Sequence, residues 1–138
     1  MEFEIKQITT NELNYKNLNI DLNDLEQFIS SRLMKLNFGK AVDKYLWGFE
    51  LYKFDGGFAQ FFNNDIESWK YSTKRLVTNS HFDWNVVKDI SKDELFELIK
   101  IEMLKSISRI NEMKRKPKNF DYLAFQNSME IILNDYKK

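Results

Sequence analysis

Few residue types in this chain could carry chemistry. The 138 residues include no cysteine and one histidine, His81. This composition excludes disulfides, thiolate metal sites, cysteine nucleophiles and two-histidine relays. Asp83 is the carboxylate nearest to His81 in sequence, and a metal site needs three or four ligands. The phosphate-cradling and nucleophile-elbow motifs are also missing from the sequence. We therefore predict no metal, no cofactor and no catalytic residue, and expect binding by shape or carboxylate chemistry.

The most informative local pattern surrounds two adjacent glycines, Gly56 and Gly57. Paired glycines permit positive φ and close backbone approach, so they predict a sharp corner between two packed helices. The amides that follow are spaced at i, i+3 and i+4, which places them on one face of a helix. We call this segment the glycine corner and predict a binding groove there, lined by Glu50, Asp55, Gly56, Gly57, Phe58, Gln60, Asn63 and Asn64.

Two other interpretations of the glycine corner remain open. In the first, it is only a helix–turn–helix corner whose aromatic residues are core. In the second, Glu50 and Asp55 are the acid and base of a carboxylate-dependent enzyme. The second interpretation requires the two carboxyl groups to converge in a pocket with at least one raised pKa.

The sequence as a whole favours an all-α fold. Four glycines and one proline are few for a sheet-rich protein, because such proteins use these residues in tight turns. Apolar spacing predicts helices over about 21–36, 40–54, 58–77, 91–116 and 119–136, with a loop over 78–84. Residues 2–8 are either a short strand or an extended arm. We predict one domain over 1–138, a bundle of five or six helices with residues 1–20 as an N-terminal arm or loop.

Charge and hydropathy narrow the class of partner. There are 21 basic and 21 acidic residues, so the formal net charge is zero. Because non-specific nucleic-acid binding depends on excess Lys and Arg, direct binding of nucleic acid is not expected. No window reaches the ~20 apolar residues of a membrane span, and the N-terminus has no signal-peptide pattern. We predict a cytoplasmic protein with no membrane partner.

The glycine corner also resembles a known family. Asp55-Gly56-Gly57-Phe58 followed by Gln60-Phe61-Phe62-Asn63 is similar to the Asn-Gly-Gly-Phe…Gln-Phe-Phe…Asn pattern of small bacterial helical domains typified by a DNA-mimic protein. Glu50 matches a glutamate that often precedes the glycines in that family, whereas Asp55 stands where asparagine is usual. The resemblance implies an all-α fold and action by binding, without a catalytic centre. DNA mimicry would also require a surface dense in carboxylates, which a net charge of zero does not favour.

The sequence leaves four functional predictions. The first is a non-enzymatic module that binds another protein, with a DNA-binding regulator as the target that the resemblance implies. An alternative with the same physical basis is an immunity protein that neutralises a toxin. The remaining alternatives are the carboxylate-dependent enzyme and a homo-oligomer whose exposed aromatics, such as Trp84, form an interface.

Overall fold

A computed structural model describes residues 1–9, 21–54, 68–70, 74–83, 87, 89–112 and 119–136. Four strands and three α-helices lie in these ranges. The strands are β1 (Glu2–Thr9), β2 (Leu46–Phe54), β3 (Ser68–Lys70) and β4 (Arg75–Asp83), and the helices are α1 (Asn23–Leu33), α2 (Lys92–Ile110) and α3 (Tyr122–Asp135). A 3-10 helix at Lys40–Val42 precedes β2. The fold is therefore α/β.

The four strands form one sheet in the order β1-β2-β4-β3. β1, β2 and β4 are parallel, and β3 pairs antiparallel with β4 at the edge. The register aligns Phe3 with Trp47 and Trp47 with Leu76. These apolar residues share one face because paired residues of a sheet project to the same side. They form the sheet side of the core.

The three helices cover that face. Trp47 of β2 packs edge-on against Phe125 of α3, with ring centroids 5.2 Å apart. The ring of Tyr136, just after α3, lies 5.1 Å from Phe28 of α1 and 5.9 Å from Phe96 of α2. These contacts place α3 between α1 and α2, above the central strand.

Helix starts are confirmed where a side chain caps them. Ser91 and Glu94 have the spacing of a capping box, and Ser91 Oγ accepts from the Glu94 amide at 3.2 Å. Asp121 Oδ1 accepts from the Ala124 amide at 3.1 Å and begins α3. Asn23 and Glu26 have a similar spacing, but Asn23 is already the first helical residue and no side chain caps α1. A capping side chain satisfies an otherwise unpaired amide of the first turn.

The prediction of an all-α bundle of five or six helices is wrong. Residues 46–54 form the central strand β2, not the second half of a helix. Residues 75–83 form β4, where we predicted the end of one helix and a loop. Trp47, Phe49 and Leu51 are fully buried at alternate positions, which is the period of a strand. Apolar residues also lie on the other face, at Leu46 and Tyr52, so the same segment fits helical spacing as well.

Pairing within the sheet also determines the structure of the N-terminal segment. Residues 2–8, which the sequence left as a strand or an arm, lie within β1 and pair with β2 along their length. The carboxylate of Glu26 on α1 accepts from the Ile5 amide at 2.9 Å. This contact occupies the outer edge of β1, where an unpaired backbone group would otherwise be open to another strand.

Gly39 joins the segment after α1 to the start of α3. Its φ is +119°, a backbone conformation that residues with a side chain rarely adopt. A Cβ at this position would lie 2.1 Å from the carbonyl oxygen of Asn119. The adjacent Phe38 carbonyl accepts from the Asp121 amide at 2.8 Å. Glycine is therefore required where two distant parts of the backbone meet.

Candidate functional site

The sheet has a second face, opposite the core, that none of the described helices covers. An ion pair crosses its central strand: Arg75 Nη2 on β4 lies 2.7 Å from Glu4 Oε1 on β1. Gly48 of β2 lies beneath the pair, and a Cβ there would be 3.2 Å from Arg75 Nη2. The two side chains are 31% and 40% exposed. Such a pair fixes side-chain positions on this face but adds little stability.

Glu50 projects from the same face. Of the predicted site residues, Glu50 alone lies within the described ranges. The Tyr52 hydroxyl donates to Glu50 Oε1 at 3.4 Å. Partial burial raises the pKa of Tyr52, and the charge of Glu50 adds to this effect. The other predicted members of the groove, Asp55, Gly56, Gly57, Phe58, Gln60, Asn63 and Asn64, lie outside the described residues. The groove, and the Glu50–Asp55 carboxylate pair, therefore stay predictions.

The single histidine belongs to this face as well. His81 pairs in register with Tyr52 across the β2–β4 ladder. Burial lowers the pKa of His81, while nearby Glu102 raises it and Arg109 lowers it. These two residues reach the strand from α2: Arg109 Nη2 donates to the Asn79 carbonyl at 2.6 Å, and Glu102 Oε2 accepts from Ser80 Oγ at 2.5 Å. The contacts anchor α2 to residues 79 and 80 of β4, beyond the residues that pair with β3.

Beneath the helices, the core contains a lysine that the sequence analysis did not single out. Lys53 on β2 is fully buried, and its Nζ donates to Gln7 Oε1 at 2.9 Å. Burial lowers its pKa from 10.5 to about 8. The sequence signal was available, because Lys53 follows Trp47, Phe49 and Leu51 at the same alternation and so faces the core.

A polar contact also connects the core side of the sheet to α2. Trp47 Nε1 donates to Thr78 Oγ1 at 2.9 Å. Thr78 Oγ1 in turn lies 3.2 Å from Ser106 Oγ, and all three side chains are buried. Satisfied hydrogen bonds of this kind favour one packing arrangement of the core over others.

The outer surface of the helices carries exposed apolar side chains. Ile101 on α2 is 47% exposed, and Leu123 and Ile131 on α3 are 67% and 62% exposed. Exposed carboxylates lie in and before the first two turns of α1 and α2 and in the second half of α3. These are Asp21, Asp24, Asp89, Asp93, Glu94, Glu97, Glu130 and Asp135. The sequence does not reveal this arrangement, because the residues involved come from segments that are far apart along the chain.

In the described part of the chain, no three His, Asp or Glu side chains are grouped so that they could hold a metal ion. Of the helices described, none is both long and apolar enough to span a bilayer.

These features define an α/β protein with helices on one face of a mostly parallel sheet and paired charges on the other. A family model described as immunity protein 44 matches residues 1–135, and this chain belongs to that family. No curated protein and no solved structure matches it. The resemblance to the DNA-mimic family is wrong: the matching family is one of immunity proteins, and the helical fold implied by the glycine-corner motif is contradicted by β2.

Proposed function

We propose that this chain neutralises a protein toxin by binding to it directly. The observation that carries this proposal is the family match, which extends over residues 1–135 of 138. An immunity protein acts on its toxin, so the expected partner is a protein and the expected product is a stable complex. Complexes of this kind usually bury roughly 800 Å² on each partner.

The architecture is suited to this role. Three aromatic contacts hold the helices to the sheet and to each other. The Glu26 carboxylate accepts from the Ile5 amide of β1, and Arg109 donates to the Asn79 carbonyl of β4. A scaffold fixed in this way can present a preformed surface, and preformed surfaces lose less conformational freedom on binding. The residues of the glycine corner remain proposed contacts within this function.

The test is co-expression with the toxin encoded by the gene adjacent to that of this chain. We expect growth to be restored and the two purified proteins to form a complex in isothermal titration calorimetry. A toxin from an unrelated gene pair is the control and should remain active. If the adjacent toxin kills cells equally well with and without this chain, and no complex forms, the proposed function is wrong.

A further inference from the structure

We infer that the toxin binds the outer surface of α2 and α3, and that the toxin contributes a surface rich in Lys and Arg with an apolar centre. This inference rests on the proposed function and assigns it a surface. We call this surface the α2–α3 face. Its apolar members are Ile101, Leu123 and Ile131, and its acidic members are Glu94, Glu97, Glu130 and Asp135.

The three apolar side chains lie close enough together to form one contact area. The ring pair Phe96–Tyr136 shows that the start of α2 lies beside the end of α3, and the Tyr122 hydroxyl donates to the Ser108 carbonyl at the other end. The two helices are thus antiparallel. Ile101 and Ile131 each lie about 7.5 Å along their helix from the Phe96–Tyr136 pair, so they stand at the same height.

The apolar cluster has the size of the centre of a protein interface. Leu123 is about two turns before Ile131 on α3, a separation of about 12 Å. Neighbouring helix axes are about 8–10 Å apart, so the three side chains span at most about 100 Å², and the surrounding polar residues would have to supply most of the roughly 800 Å² that one partner buries. A cluster of exposed aliphatics inside a polar border is the usual anatomy of such a contact.

The charge beside this cluster determines which partner fits. Glu130 is next to Ile131, and Asp135 lies one turn further along the same side of α3; both are exposed. Their position is not explained by helix stability, because negative charge is unfavourable near a helix C-terminus. The charges of α2 balance, with Lys92, Lys100, Lys105 and Arg109 against Asp93, Glu94, Glu97 and Glu102. Two of these lysines are paired: Lys100 with Glu97 at 3.1 Å, and Lys105 with Glu102 at 3.4 Å. The excess of negative charge comes from α3, whose residues Tyr122–Asp135 include Glu130 and Asp135 and no Lys or Arg. The α3 side of this surface is therefore acidic, and its charge complement is a partner rich in Lys and Arg.

The second face of the sheet is a weaker candidate for the same role. Its ion pair, Glu4–Arg75, is satisfied within the chain, as is the Tyr52–Glu50 hydrogen bond. Of the five large hydrophobic residues exposed in the described ranges, three belong to the α2–α3 face and none to the strands.

The experiment measures affinity for the toxin encoded by the adjacent gene with two paired substitutions. Ile101→Ser with Ile131→Ser removes the apolar centre, and Glu130→Lys with Asp135→Lys reverses the charge. We expect each pair to weaken binding at least about tenfold. Matched controls are Met34→Ser, an aliphatic residue that is 64% exposed at the end of α1, and Asp43→Lys, an exposed carboxylate before β2. Both controls should bind as the unsubstituted chain does.

Thermal unfolding separates loss of binding from loss of folding. A lysine at position 135 places a cation at the C-terminus of α3, where it is favourable, so the charge-reversed variant should melt no earlier than the unsubstituted chain. Unchanged affinity in both paired variants would refute the assignment of the α2–α3 face as the binding surface while leaving the proposed function intact. A loss of affinity in the controls as large as in the paired variants would refute that assignment too. Failure of the unsubstituted chain to bind would instead refute the proposed function.

Discussion

Replacing Lys53 with methionine tests the energetic cost of the buried amine. Lys53 is fully buried and its pKa is lowered from 10.5 to about 8 because burial disfavours the charged form. Between about pH 8 and pH 10.5, the folded chain binds fewer protons than the unfolded chain. The free energy of unfolding therefore rises as the pH rises through this window.

The magnitude follows from the size of the pKa shift. One pKa unit corresponds to about 1.4 kcal/mol, so a shift from 10.5 to about 8 means that the charged amine destabilises the fold by at most about 3.5 kcal/mol below pH 8. Lys53→Met removes that cost but leaves the Gln7 side chain without its lysine donor, which costs about 1–3 kcal/mol. We expect near-equal or greater stability than the unsubstituted chain at pH 7, and an advantage that shrinks as the pH rises towards 10.5.

The assay is urea unfolding of both proteins at several pH values from 7 to 10.5. The difference between the two free energies cancels the groups that both proteins share. Lys35→Met, at an exposed lysine, controls for the loss of one positive charge. If the curves for Lys53→Met and the unsubstituted chain run parallel across the window, the amine is not desolvated and the reasoning is refuted.

Two further substitutions test the packing. Gly39→Ala should lower the free energy of unfolding by about 3 kcal/mol or more, because its Cβ would meet the Asn119 carbonyl at a strained φ; a loss below about 1 kcal/mol would contradict the close approach. Thr78→Val should cost about 1–3 kcal/mol, because Trp47 Nε1 loses its acceptor in a buried site beside Ser106. Thr78→Ser keeps the hydroxyl and should cost less, and equal losses would argue against the hydrogen bond. Denaturant unfolding measures both.

Local signals in the sequence were reliable where a short-range interaction produces the structure. The Ser91 capping box, the Asp121 cap and the apolar stripe of α1 all involve residues within one or two helical turns. Local spacing is sufficient for such elements, because neighbours on one helix determine them. The glycine corner does not allow this comparison, since Asp55–Asn64 lie outside the described residues.

The central strand shows where local spacing was insufficient. Over 40–54, apolar residues fit a helix with two buried faces as well as a buried strand. This segment is a strand because it pairs with β1 on one side and with β4 on the other. Both partners are far away from it in the sequence. Parallel pairing is invisible to a local pattern, because its partners are separated by a whole crossover connection.

The sequence alone determined that this chain lacks thiol chemistry, has balanced charge, and contains the capped helices α2 and α3. Tertiary structure decided the rest. It made residues 46–54 a strand, buried Lys53, and brought the exposed Ile101 of α2 and Ile131 of α3 onto neighbouring antiparallel helices. The physical reason is that burial and surface charge depend on which distant segments pack together, and the order of residues along one element does not specify its neighbours.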